Sequence, residues 1–132
     1  MKRTFTVDQA NRMLPLVERI VRDIVTHHER WQQVVGEFEL ANLPGTVQGS
    51  AERALRLQED AERLAADIQG FVGELEELGV EFKSFDLGLV DFPSIRDGRA
   101  VLLCWKLNEP AVAHWHEISD GFSGRQPLLR AV

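Results

Sequence analysis

Between Gly88 and Gln126 the chain crowds Asp91, Arg99, Cys104, Glu109, His114, His116, Asp120 and Arg125 among apolar residues. Imidazole nitrogens and carboxylate oxygens in such a cluster are ligand atoms for a mononuclear metal. Two nitrogens with one or two carboxylates suit zinc, or ferrous iron where coordination positions stay open for substrate. The ligand set depends on backbone conformation. If residues 110–118 are helical, Glu109 and His116 lie two turns apart on one face and His114 points elsewhere. If the segment is extended, His114 and His116 fall on one side as a His-x-His chelate. Asp91 is the natural third ligand in either case, because a carboxylate between Val90 and Phe92 is costly to bury without a partner. The candidate metal ligands are therefore Asp91, Glu109, His116 and His114. The pattern lacks the fixed spacing of His-Glu-x-x-His or paired Cys-x-x-Cys sites.

The same residues have other uses. The planar guanidinium groups of Arg99 and Arg125 can hold the carboxylate or phosphate of a small anionic ligand by two parallel hydrogen bonds. Alternatively, Asp91 pairs with Arg99 across a strand hairpin, Glu109 serves the first turn of its own helix, His116 sits satisfied under Trp115, and Arg125 pins the tail to an acidic residue. Cys104 has Lys106 on its strand face as a cationic neighbour, but a cysteine between Leu103 and Trp105 reads as a small buried hydrophobe. Ser123 lacks the Gly-x-Ser-x-Gly setting of a nucleophile elbow. Trp31, Trp105 and Trp115 read as core anchors.

Two long helices must position this cluster. Thr6 and Gln9 have capping-box spacing, so the first helix starts at Val7. Leu14, Val17, Val21, Ile24, His28, Trp31, Val35 and Phe38 follow an alternating three-and-four spacing that keeps one seam against a partner helix. Pro15 cannot donate to the carbonyl of Asn11, which predicts a kink or break and a main helix from Pro15 to about Glu39. After Asn42, Pro44, Gly45 and Gly49, Ser50 can cap a second helix. Its seam is Ala54, Leu57, Ala61, Leu64, Ile68, Phe71, Leu75 and Leu78, and Gly79 is its stop. Folding the pair into an antiparallel, coiled-coil-like hairpin brings Trp31 near Ala61 and Phe38 near Ala54, large against small.

Beyond residue 79 the pattern becomes extended: Val80 to Phe85, Leu89 to Phe92, and Arg99 to Leu107 after an Asp97-Gly98 turn. Asn108-Glu109-Pro110 resembles a helix start leading into Ala111 to Ile118. The expected fold is α+β in a single domain. A helical hairpin (1–79) packs with a small antiparallel sheet, a short C-terminal helix and a tail (80–132).

Composition sets the remaining bounds. A chain of 132 residues, 44% hydrophobic and 27% charged, can bury a core without disulfides. No apolar run approaches the roughly 18 to 20 residues that span a bilayer, so no membrane association is expected. Met1-Lys2-Arg3-Thr4-Phe5 lacks the apolar stretch of a secretory signal, and one cysteine fits a reducing compartment. A cytoplasmic protein is the expectation. A net charge of −6 argues against a general nucleic-acid binder, which needs a basic face.

Several strings resemble a known family: Gly88-Leu89-Val90-Asp91-Phe92-Pro93, Gly98-Arg99, Leu103-Cys104-Trp105-Lys106, Trp115-His116-Glu117, and Gly121-Phe122-Ser123-Gly124-Arg125-Gln126-Pro127. With Phe5-Thr6-Val7, Ala10-Asn11 and Leu14-Pro15, they are similar to the uncharacterised bacterial domain-of-unknown-function family numbered twenty-two-oh-three. The resemblance spans nearly the whole chain and implies a bacterial protein, with no activity, cofactor or catalytic residue attached. Two readings follow. One is a mononuclear zinc or iron site that activates water or holds a small anion. The other is a non-enzymatic adaptor whose hairpin pairs with a second copy or a partner helix.

Overall fold

A computed structural model describes residues 3–45 and 50–128. Gly49, expected in the connection between the helices, and the side chain of Ser50, expected to cap the second, lie outside what it describes. Thr6 opens α1 (Val7–Ala41) with a complete capping box: its hydroxyl accepts from the Gln9 amide, and its own amide donates to Gln9 Oε1. The expected break at Pro15 does not occur. Pro15 faces solvent, while Leu14, Val17, Ile20 and Val21 around it are buried. An interior proline costs about 3 kcal/mol, whereas each fully buried aliphatic side chain contributes roughly 1.5–3 kcal/mol. The buried face therefore outweighs the missing hydrogen bond and holds one continuous helix.

The second helix, α2 (Ser50–Glu77), buries Ala54, Leu57, Ile68 and Leu75 and packs antiparallel on α1. Trp31 and Ala61 line one groove between the helices, as the seam register requires. Gly79 ends α2 at φ 87°, its amide donating to Glu76 O while the Val80 amide donates to Leu75 O. His28, the polar seam residue, stacks on Phe85 at 4.2 Å between ring centroids.

Five strands follow as an antiparallel meander in chain order: β1 (Glu81–Ser84), β2 (Leu89–Arg96), β3 (Arg99–Lys106), β4 (His114–Glu117) and β5 (Gln126–Pro127). Asp97 and Gly98 both take positive φ, 53° and 79°, the backbone of the tight hairpin turn that Asp-Gly favours. Alternation then gives the sheet two chemically different faces. Val90, Phe92, Val101, Leu103, Trp105 and Trp115 point towards the hairpin and join its core. Leu89, Asp91, Pro93, Leu102, Cys104, His114 and His116 share the other face by register.

The short helix expected over Ala111 to Ile118 is instead extended, with β4 at its centre. One backbone conformation and two side-chain anchors oppose helix formation. Asn108 sits at φ 82°, unlike an N-cap. The Asn11 side chain of α1 takes both backbone polar groups of Val112, accepting its N–H at 2.8 Å and donating to its carbonyl at 3.2 Å. The Trp105 indole N–H donates to Glu109 O at 3.0 Å. Pairing with β3 buries Trp115 on one face and His116 on the other; one face of a helix would not place adjacent residues on opposite sides.

Candidate functional site

The register of three strands assembles the site. Asp91 of β2 pairs directly with Cys104 of β3, Cys104 with His114 of β4, and Leu102 with His116. His116 therefore sits on the strand beyond β3, yet its Nε2 is 3.0 Å from Asp91 Oδ1. A small side chain at Cys104, between the two outer strands, leaves room for that reach. One donor atom from each of Asp91, Cys104 and His116 lies within 4.8 Å of the others. All three residues are buried, at 3%, 0% and 2% exposure.

Hydrogen bonding assigns protons within the pair. His116 Nδ1 is 2.7 Å from the Glu117 carbonyl oxygen, which can only accept, so Nδ1 carries a proton. The tautomer is thus inferred from the acceptor opposite it. Nε2 and Asp91 Oδ1 then need one further proton between them, held either as an imidazolium facing a carboxylate or as a carboxylic acid facing a neutral imidazole. Burial pushes the Asp91 carboxyl up from its usual range, against the hydrogen bond and charge of His116 that favour its ionised form. Burial, with the nearby Asp91 charge, pushes the Cys104 thiol up to about 11, although Arg125 opposes the shift. At neutral pH Cys104 is a protonated thiol, which removes it as a free nucleophile.

Glu109 and Arg125 form a second unit beside the first. Arg125 Nη1 donates to Glu109 Oε1 at 2.9 Å and Nη2 to Oε2 at 2.6 Å, while the Lys106 amide donates to Oε1 at 2.9 Å. Both side chains are about 15% exposed. Arg125 Nη1 is also 4.0 Å from Cys104 Sγ, and the Arg125 guanidinium lies 4.6 Å from the Phe122 ring centroid. Among the described residues His114 Nδ1 is buried without a hydrogen-bond partner, 3.8 Å from Glu109 Oε2. Burial raises the Glu109 carboxyl, but the Arg125 and Lys106 donors and the Arg125 charge together hold it below its usual value.

The sequence-derived candidates therefore divide. Asp91 and His116 meet; His114 and Glu109 lie alongside, with Glu109 engaged by Arg125. Arg99 does not face Asp91. Its Nε and Nη2 donate to Glu117 at the exposed edge, on the strand side occupied by Trp115, so Arg99 and Arg125 do not converge on one ligand. Cys104 joins Asp91 and His116, although its sequence setting pointed to a small buried hydrophobe or a nucleophile and not to a metal ligand. Its alternation with Leu103 and Trp105 indicated its face; its cross-strand neighbours depend on a register no local pattern encodes.

The chain belongs to the family described as an uncharacterized conserved protein (DUF2203), which matches residues 3–128. No curated protein and no solved structure matches it.

A lowered Glu109 value makes the Glu109–Arg125 pair stabilising above the unfolded carboxylate value of about 4.3, with that contribution lost as pH falls through the folded value. We expect Glu109→Gln to cost about 2 kcal/mol near pH 7, the scale of hydrogen bonds to charged groups. The difference from the native chain in urea melts should shrink steadily towards pH 3. A difference independent of pH would contradict this account of the pair.

Proposed function

We propose that the protein binds a divalent transition-metal ion through Asp91 Oδ, Cys104 Sγ and His116 Nε2, with zinc the best match and ferrous iron the alternative. The observation that carries this reading is the convergence of three different buried donor atoms within 4.8 Å. Oxygen, sulfur and nitrogen together suit borderline metals, and thiolate disfavours magnesium or calcium. The second ring nitrogen of His116 supports the reading too. Metal-binding histidines usually donate that N–H to a carbonyl or carboxylate, as His116 does to Glu117 O.

A metal would take the place of the proton shared by Nε2 and Oδ1, and coordination deprotonates a thiol that burial otherwise keeps neutral. Three protein ligands leave at least one position for water or an anion, where the ion would act as a Lewis acid. Arg125 Nη1 stands 4.0 Å from Cys104 Sγ and supplies a cationic group beside the ligands, so a small anionic ligand is the favoured occupant. In this reading Glu109 and His114 surround the ligands without joining them. The lone thiol supports a reducing, cytoplasmic setting. Among the described residues, no helix is long and apolar enough to cross a membrane.

Elemental analysis of protein purified without affinity tag or chelator tests the ligand set. We expect about one equivalent of zinc or iron, lost in folded Cys104→Ala and His116→Ala and retained in Glu109→Ala. Substoichiometric metal that none of these substitutions changes would defeat the proposal.

A second reading concerns the hairpin. Buried core residues of α1 shared with the sheet stop at Ile24, with Trp31 packed half-buried against that core, and those of α2 begin at Ile68. The distal half, about 25 Å of each helix at 1.5 Å per residue, leaves Trp31, Val35 and Phe38 half-buried along a groove of about 340 Å³. A second copy laid across this groove would complete a four-helix bundle, which a two-helix hairpin cannot do alone. Sedimentation equilibrium should then show a dimer that Phe38→Glu dissociates by at least tenfold in Kd, with metal content unchanged. A monomer at every concentration would remove this reading.

A further inference from the structure

Asp91, Cys104 and His116 are too deeply buried for an ion to reach them unless part of the fold moves. Most surrounding structure is firmly held. The hairpin covers one sheet face, and β2 and β3 pair over eight consecutive positions. Residues 121–128 are tied differently. They comprise a 3-10 turn (Phe122–Gly124), Arg125 and β5, which pairs with β4 at only two positions, His114 with Pro127 and Trp115 with Gln126. The Leu128 amide adds one hydrogen bond to Ala113 O at 2.9 Å. Among the described residues its side-chain anchors are Leu128, half-buried against the core, and Arg125, clasped by Glu109, backed by Phe122 and reaching to 4.0 Å from Cys104 Sγ.

We infer that residues 121–128 are a strap that closes the Asp91–Cys104–His116 site, with the Glu109–Arg125 pair as its clasp, and that release of the clasp admits solvent and ions to Cys104. Segments with short ladders open locally while the core stays folded, and this one carries Arg125 to within 4.0 Å of Cys104 Sγ. The clasp also matches the charge requirement of the closed state. Glu109 neutralises a guanidinium that would otherwise stand uncompensated beside the place of a metal cation. An anion arriving with or after the metal competes with Glu109 for the same two guanidinium nitrogens, which couples ligand binding to opening. Access of ions through the strap rests on the metal reading; exposure of the thiol does not.

The test is alkylation of Cys104 by neutral iodoacetamide in metal-free native protein, Arg125→Ala and Phe122→Ala, each checked for folding by circular dichroism. Opening predicts at least tenfold faster alkylation in Arg125→Ala and severalfold faster in Phe122→Ala. Loss of a cation beside the thiol disfavours thiolate, so electrostatics alone would slow Arg125→Ala, and acceleration reports access. Should Arg125→Ala fail to fold, Phe122→Ala, which changes no charge, decides. Zinc uptake followed with a chromogenic indicator should accelerate in the same variants. Alkylation within twofold of the native rate in the folded variants overturns the strap, whatever the zinc result. Faster alkylation without zinc binding in any form upholds the strap and defeats the metal site.

Discussion

The 3.0 Å contact between His116 Nε2 and Asp91 Oδ1 governs the arrangement around it. An unpaired ionised carboxylate removed from water costs several kcal/mol, comparable with the entire stability of many domains of this size. Asp91 can therefore occupy the middle of a buried strand only where a hydrogen-bonding partner faces it. That partner comes from a strand two places away, so the pair ties β2 to β4 across β3. Removing either member would leave the other buried and unsatisfied. The residue beneath them must be small, and Cys104 meets that requirement while adding a third donor atom.

This constraint accounts for the backbone around it. His116 reaches Asp91 because residues 114–117 are extended, and that conformation is held from outside the strand: Asn11 of α1 fixes Val112, and Trp105 fixes Glu109. The hairpin thus acts on the site twice, once by covering the apolar sheet face and once through a single asparagine. On the opposite face, polar groups stand where a second apolar layer would complete a sandwich. The Glu109–Arg125 pair and the segment that carries Arg125 close part of that side. A fold with one sheet face packed on helices and its titratable groups set among Leu89, Pro93 and Leu102 on the other concentrates its chemistry on the second.

Local patterns in the chain revealed what depends on neighbours in sequence. The Thr6–Gln9 capping box, both helical seams, the Gly79 stop and the Asp97-Gly98 turn all follow from residues within a few positions of one another. Asp91's need for a partner was visible as well, since the residues flanking it are apolar. Less legible were features decided by distant contacts. Pro15 reads as a break until the buried side chains around it are counted. Asn108-Glu109-Pro110 has the letters of a helix start, yet Asn11, nearly one hundred residues earlier, selects extended chain. Cys104 could be assigned to a strand face from alternation, but its position between Asp91 and His116 comes from β2–β3 and β3–β4 register. The pairing of Arg125 with Glu109, and of Arg99 with Glu117, is non-local for the same reason.

The proposed site makes a distinctive claim, that sulfur from Cys104 and nitrogen from His116 bind the same ion. Cobalt(II) titrated into metal-free protein under anaerobic conditions, followed by absorption spectroscopy, tests it directly. A saturable thiolate-to-cobalt charge-transfer band in the near ultraviolet is expected at one equivalent. That band should be absent in Cys104→Ala, and binding should be abolished in His116→Ala. Visible bands of octahedral, oxygen-ligated cobalt without a charge-transfer band, unchanged by either substitution, would contradict it.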